Sequence, residues 1–461
     1  MAITQYLGII FSRPRWRHVL AAALVAHLIV GGYATLRELF YGMSLSLIMD
    51  GIQFALIQAA LFLLYFSSSR MENVRYSLDT QFYVERYFKE RHRFLAMKRH
   101  GQGGFKPQVG LTSADTRRLG NRRDLIVSQS LLEYQPPVAA TIQDLAFRLE
   151  NNWFDLPWVV ADQALELTLK RFNALEKYDY NGLLMSVTGL EQHASGTTLV
   201  FEKATYYSYL VTNMLPEVEM PGGLTYRDML EPGPVLSTLE TSLPENHLGL
   251  NCLFRTRDGD FIIPRRSHNT NVFKGQLSAS VSGASNLHTC RLGNQGTYSP
   301  LAWLINETRE ELPFLFTEAG QAVGDDAMQA LLGEACFLGI TRELRRCGKP
   351  EAFFFFSLPI TTDEVRQRLR AHLREQGDHP ISMSEIRAID FNENAGFLLV
   401  QERALFEGLG QHVLPGRRVV PFTRPKPPEF QHRLAYEGES YVVSESLFVN
   451  LLLYQNHCMN G

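Results

Sequence analysis

Ser299-Pro-Leu-Ala-Trp-Leu-Ile-Asn-Glu-Thr-Arg-Glu-Glu-Leu312 is the stretch on which the reading of this chain turns. It predicts a helix with a serine N-cap and a proline in the first turn. At about 100° per residue, Leu301, Leu304, Ile305, Thr308 and Leu312 form one mostly apolar stripe. Glu307, Glu310 and Glu311 gather on the flank beside it. Carboxylates at i, i+3 and i+4 repel one another, so the grouping calls for either free solvent or a cation.

Working outward, Leu248–Phe254 is a strand-like run, and Asp258-Gly259 supplies a hairpin turn into Phe261–Ser267. Lys274–Gly283 leads toward the helix. Beyond it, Ala335–Ile340 and the aromatic run Glu351–Pro359 read as two further strands. Phe353–Phe356 has the composition of a strand buried on both faces. This order of elements, over roughly residues 245–400, resembles a Nudix domain.

The Nudix box, G-x5-E-x7-R-E-U-x-E-E-x-G-U (U a bulky aliphatic residue), is altered here. With its glutamate triplet on Glu307, Glu310 and Glu311, the box arginine falls on Asn306, the first U on Thr308 and the late glycine on Pro313. The upstream glutamate falls on Tyr298, and the leading glycine on Leu292. In the family the arginine orients the glutamates, and the triplet holds Mg²⁺ against a diphosphate. The resemblance therefore implies a metal set of Glu307, Glu310 and Glu311, with Mg²⁺ as the expected ion. It also implies a fold kept for nucleotide recognition, with catalysis weakened or absent. Arg265, Arg266 and Lys274 are the expected ligand-binding cations, since guanidinium both stacks on a base and forks onto a phosphate. Strand alternation lets only one of the arginine pair face the cleft. His268 and His288 lie nearby and read as loop residues rather than bases.

Val19–Leu36 is apolar apart from His27 and Thr35, and spans about 27 Å if helical. Met43–Phe66 is a second apolar segment. Arg13, Arg15 and Arg17 precede the first, and Arg70 and Arg75 follow the second. The positive-inside bias predicts a membrane hairpin with both ends in the cytoplasm. In the second span Asp50, Gln53 and Gln58 share a sector with Ser46. A carboxylate inside a bilayer costs roughly 2.5–3.5 kcal/mol on insertion scales, which points to several hairpins sharing a polar centre. Asp50 close to one interface, reaching water, is the simpler alternative.

The formal charge of −3 offers no basic stripe for a nucleic-acid polymer. Five widely spaced cysteines without a C-x-x-C pair predict reduced thiols rather than disulfides or zinc. No G-x-S-x-G elbow, H-E-x-x-H or P-loop is present. The expected fold is thus a membrane-anchored α+β chain, a transmembrane helical hairpin followed by a cytosolic mixed α/β/α Nudix-like domain with an accessory subdomain. Its divisions are residues 1–70 (hairpin), 71–149 (helical connector and linker), 150–245 (accessory subdomain) and 246–461 (Nudix-like domain with C-terminal extension). Glu72–Lys98 reads as a connecting helix, and Ser444–Tyr454 as a final amphipathic helix.

Two membrane helices before a cytosolic Nudix-like domain resemble the membrane effectors of bacterial cyclic-oligonucleotide antiphage signalling, CBASS. That resemblance implies an inner-membrane protein sensing a cyclic nucleotide messenger, with the lipid bilayer and further copies of itself as partners. Binding would drive oligomerisation and membrane disruption. The alternative is a membrane-tethered, Mg²⁺-dependent hydrolase of a nucleoside or isoprenoid diphosphate, in which Glu310 or Glu311 assists an attacking water.

Overall fold

The computed structural model describes residues 92–100, 104–115, 124–137, 139–158, 181–194, 196–216, 224–267, 275–292, 296–318, 321–375, 394–414 and 429–460, with positions 57, 87, 160 and 161. The chain divides into two units, the larger comprising Leu78–Asp155, Gly182–Met214 and Arg227–Gly461. The elements below belong to that larger unit.

Its strands are β1 (Phe94–His100), β2 (Gly104–Leu111), β3 (Leu125–Tyr134), β4 (Ala140–Thr141), β5 (Leu145–Trp153), β6 (Leu183–His193) and β7 (Gly196–Thr205). They continue with β8 (Gly249–Arg255), β9 (Asp260–Arg266), β10 (Val281–Ala284), β11 (Thr317–Glu318), β12 (Gln321–Ala322), β13 (Cys336–Glu343) and β14 (Lys349–Ser357). The last are β15 (Asn394–Gln401), β16 (Leu409–Leu414), β17 (Glu429–Tyr436) and β18 (Glu439–Val443). The main helices are α1 (Pro300–Glu311), α2 (Asp325–Leu332), α3 (Thr362–Glu375), α4 (Glu402–Gly408) and α5 (Glu445–Asn460).

Ten strands form one mixed sheet in the order β15-β9-β8-β14-β13-β3-β1-β2, with β10 on β8 and β4 on β13. β14 runs parallel to β8, from Gly249 beside Glu351 to Arg255 beside Ser357. The aromatic run explains why helices cover both faces. Ala352, Phe354 and Phe356 join the cluster containing Trp303, Leu304 and Ile305 of α1. Phe353 and Phe355 join the cluster containing Leu447, Phe448 and Leu451 of α5. Successive strand side chains point to opposite faces, so four consecutive phenylalanines demand two apolar layers. Burying each contributes roughly 1.5–3 kcal/mol. A separate sheet, β5-β7-β6, lies outside the ten-stranded one.

α1 begins as its sequence predicts: Ser299 Oγ accepts a hydrogen bond from the Ala302 N–H at 3.0 Å, with Pro300 in the first turn. Two expectations of helical form change. Phe94–Lys98, expected to end a connecting helix, is part of strand β1, held between β2 and β3. α5 is not amphipathic over its first half, because Leu447–Tyr454 are buried without interruption.

The expected membrane-anchored architecture is also corrected. Among the described residues, no helix is long and apolar enough to cross a membrane. α5 reaches only 16 residues, short of the roughly 20 that a bilayer core requires, and its apolar residues are consumed by the α5 layer of the core. What is observed is a mixed α/β protein built on large sheets. The spans expected at Val19–Leu36 and Met43–Phe66, with Asp50, Gln53 and Gln58, lie outside the described residues. Among the described residues nothing supports the expected transmembrane hairpin, pore or inner-membrane location.

Candidate functional site

The glutamates of α1 reach one cleft from one side. Glu307 is 9% exposed and rests directly on β10. A Cβ at Gly283 would fall 2.7 Å from the Glu307 carboxyl carbon and 2.8–2.9 Å from its oxygens, so any larger residue there would force this carboxylate to shift. Glu311 turns aside: its Oε2 accepts the Ser282 N–H at 3.0 Å, and Arg266 Nη1 lies 3.9 Å from its Oε1. Arg266 also donates to Ser282 Oγ at 3.1 Å. Glu310 is exposed at the cleft wall. Asn306, at the box-arginine position, donates to the carbonyls of Thr289 and Arg291 at 2.9 and 3.2 Å. It therefore fastens α1 to the preceding loop instead of orienting carboxylates.

Among the described residues, no three His, Cys, Asp or Glu side chains are gathered closely enough to hold a metal ion. Glu307 and Glu310 line the cleft, while Glu311 is committed to Ser282 and Arg266. That donor set does not make a three-carboxylate cage. It does suit Mg²⁺ held by one or two carboxylates plus ligand phosphates.

The opposite wall is a buried ionic network. Arg346 Nε donates to Glu343 Oε2 at 2.7 Å, and its Nη2 donates to Glu351 Oε1 at 2.9 Å. Its Nη1 donates to the Tyr209 hydroxyl at 3.2 Å. Lys349 Nζ donates to the same Glu351 oxygen at 2.6 Å, and Asn251 Nδ2 to the other at 2.8 Å. A Cβ at Gly249 would overlap the Glu351 carboxylate, so here too a strand glycine admits a buried acid. Burial pulls the Lys349 amine down to about 8, with Glu351 opposing. Glu351 is held below the ordinary carboxylate value; burial opposes this, but Lys349 and Arg346 outweigh it. Beside the network, burial pushes Glu245 up to about 8, Ser208 and Lys349 lowering it and Glu202 raising it. Burial, then Lys349 and Arg346, hold His247 well below its ordinary value.

The two walls enclose about 380 Å³. Its charged lining is balanced, with Arg266, Arg346 and Lys349 against Glu307, Glu310 and Glu351, and Tyr206, Tyr209 and His247 add aromatic surface. An anion entering it is drawn by the cations and repelled by α1, unless a cation sits between.

The expected residues fare differently. Arg266 faces this cleft, whereas Arg265 lines a second cavity of about 290 Å³ with Glu439 and Tyr441. This is the alternation expected of adjacent strand residues. Lys274 and His268 lie outside the described residues. His288 is exposed. Sequence reasoning missed Tyr209, His247, Arg346, Lys349 and Glu351. The one available signal was Lys349-Pro-Glu351 opening an otherwise apolar strand, since charges at alternate positions there must find partners on one face.

No protein-family model and no curated protein matches this chain. Among solved structures, the crystal structure of DR0079 from Deinococcus radiodurans is similar at 18% identity over 34% of this chain and 67% of that one, with a TM-score of 0.20. A likeness at that level carries no argument about fold or function.

Proposed function

We propose that this cleft binds a phosphorylated nucleotide and acts as a sensor, the messenger being a cyclic nucleotide of the kind used in CBASS antiphage signalling. The observation that carries the reading is a single cleft joining Arg266, Arg346 and Lys349 to an aromatic wall of Tyr206 and Tyr209. Guanidinium and ammonium groups suit phosphate oxygens, and the tyrosines suit a base. Sensing is favoured over turnover because Glu311 is engaged by Ser282 and Arg266, and Asn306 by backbone carbonyls. For binding to become a signal, the messenger must bind a self-associated state more tightly than the resting one.

A Mg²⁺-dependent diphosphate hydrolase is the second reading, favoured by Glu307 and Glu310 both lining the cleft. The test uses the full-length chain with cyclic di- and trinucleotides and linear nucleoside diphosphates, each with Mg²⁺ and with EDTA. Calorimetry follows binding, and chromatography follows ligand integrity. Tight binding of a cyclic species recovered intact is the expected result. Mg²⁺-dependent cleavage of a linear diphosphate, without cyclic binding, would replace the sensor by the hydrolase.

A further inference from the structure

His247 is held in place by its backbone and left open at its side chain. Its residue bridges Ser186 of β6, and the Val187 N–H donates to the neighbouring Asn246 carbonyl at 2.9 Å. The side chain is 4% exposed and lines the cleft. Its ring meets Tyr209 edge-on, with centroids 4.7 Å apart at 76°. Tyr209 in turn lies 5.8 Å from Tyr206. Yet, among the described residues, neither His247 ring nitrogen has a hydrogen-bond partner. Buried polar atoms are nearly always paired, so an unpartnered imidazole at a cleft wall points to a ligand group.

We infer that the Tyr206–Tyr209–His247 end of the cleft holds the base of the ligand, with His247 reading its hydrogen-bonding edge. This rests on the nucleotide reading above and names the part of the ligand that decides specificity. The chemistry separates a base from a phosphate. A neutral imidazole offers one donor and one acceptor. Phosphate oxygens only accept, and would leave one nitrogen unmatched, whereas a base edge presents donor and acceptor side by side. Burial disfavours any charge here, and Lys349 and Arg346 disfavour a further positive one, which keeps the ring neutral. Tyrosine faces add stacking surface that every base can use.

The experiment titrates the full-length chain, with Mg²⁺, against cyclic di-AMP, cyclic di-GMP, cyclic di-UMP and the base-free probe inorganic pyrophosphate. In the wild type, at least one cyclic dinucleotide should bind roughly ten-fold or more tighter than pyrophosphate. His247→Phe keeps a ring but removes the polar edge, and should cut that ratio about ten-fold. His247→Gln, with one donor and one acceptor, should restore part of it. Thermal melting identifies a variant that fails to fold, and the wild-type ratio tests the inference without any variant. Equal affinity for cyclic dinucleotides and pyrophosphate overturns the base-reading end while leaving a phosphate-binding cleft. An unchanged ratio in His247→Phe assigns the discrimination elsewhere. Failure of all four probes to bind removes the nucleotide reading, and this inference with it.

Discussion

The two walls of the cleft carry comparable numbers of charges but hold them by different physics. On α1, Glu307, Glu310 and Glu311 follow from helical spacing, and each finds a separate environment: over Gly283, at the exposed mouth, and against Ser282 and Arg266. On the β14 side, Arg346, Lys349, Glu343 and Glu351 are bound to one another and screened from water. The helix wall keeps one carboxylate accessible to a ligand or ion; the strand wall presents fixed, internally compensated charge. The first is adjustable chemistry, and the second is preorganised electrostatics that a ligand meets without rearrangement.

That contrast predicts a steep gradient of mutational effects. Glu351→Ala removes the shared partner of Arg346 and Lys349; Arg346 keeps Glu343, but the Lys349 charge is stranded in the interior. The substitution should destabilise the protein by about 3–5 kcal/mol, read as a lower denaturation midpoint in urea. A loss below about 1 kcal/mol would mean the network is wetter than its burial implies.

Glu245 sharpens the comparison through pH. Its folded pKa of about 8 lies above its ordinary 4.5, so the folded chain keeps a proton that the unfolded chain has released. Its contribution is complete below about 4.5 and is lost as pH rises through about 8. His247 has a depressed pKa, so its contribution is complete above its ordinary 6.5 and is lost as pH falls below it. Lys349, depressed from 10.5 to about 8, regains its contribution only as pH rises from about 8 toward 10.5. Between pH 6.5 and 8, then, Glu245 acts while these two are constant. Stability should fall there by about 2 kcal/mol more in the wild type than in Glu245→Gln. Parallel stability-versus-pH curves for the two proteins would contradict the sign or the burial.

On the helix wall, Gly283→Ala drives a Cβ against the Glu307 carboxylate. Overpacking should cost about 1–3 kcal/mol and displace Glu307, weakening Mg²⁺-dependent ligand binding in calorimetry. Glu310→Gln should be the mildest change, within about 0.5 kcal/mol in stability. Any effect should be confined to the Mg²⁺ dependence of affinity. A large stability loss from Glu310→Gln would show that the helix wall is also an internal network.

How much of the site was legible divides along the same line. Ser299, Pro300 and the three glutamates are neighbours in sequence, so capping chemistry and helical period place them without tertiary knowledge. Arg266 was separable from Arg265 only as one of two, and the packing of β9 chose between them. The connecting helix expected over Glu72–Lys98 misread Phe94–Lys98, whose charge and aromatic pattern suits either form; pairing with β2 and β3 decided it. The inner-membrane expectation rested on two apolar segments, Val19–Leu36 and Met43–Phe66, and on the arginines flanking them, all outside the described residues. In α5, expected to be amphipathic, apolar residues on every side serve a buried core position.

What the sequence determined by itself is local: the cap and carboxylate flank of α1, the Asp258-Gly259 turn, and the aromatic run that must be covered on both faces. Those follow from interactions within a few residues or from a strict period of two. Only the tertiary structure decided that Tyr209, His247, Asn251, Arg346 and Glu351 share one cleft with Glu307. The segments that carry them, at Tyr209, His247–Asn251, Glu307 and Arg346–Glu351, lie far apart in the chain, and no periodicity links one segment to another. Burial then converts ordinary side chains into a paired ionic network, a carboxylic acid titrating near 8 and a neutral histidine, because desolvation is a property of the folded environment and not of the residue.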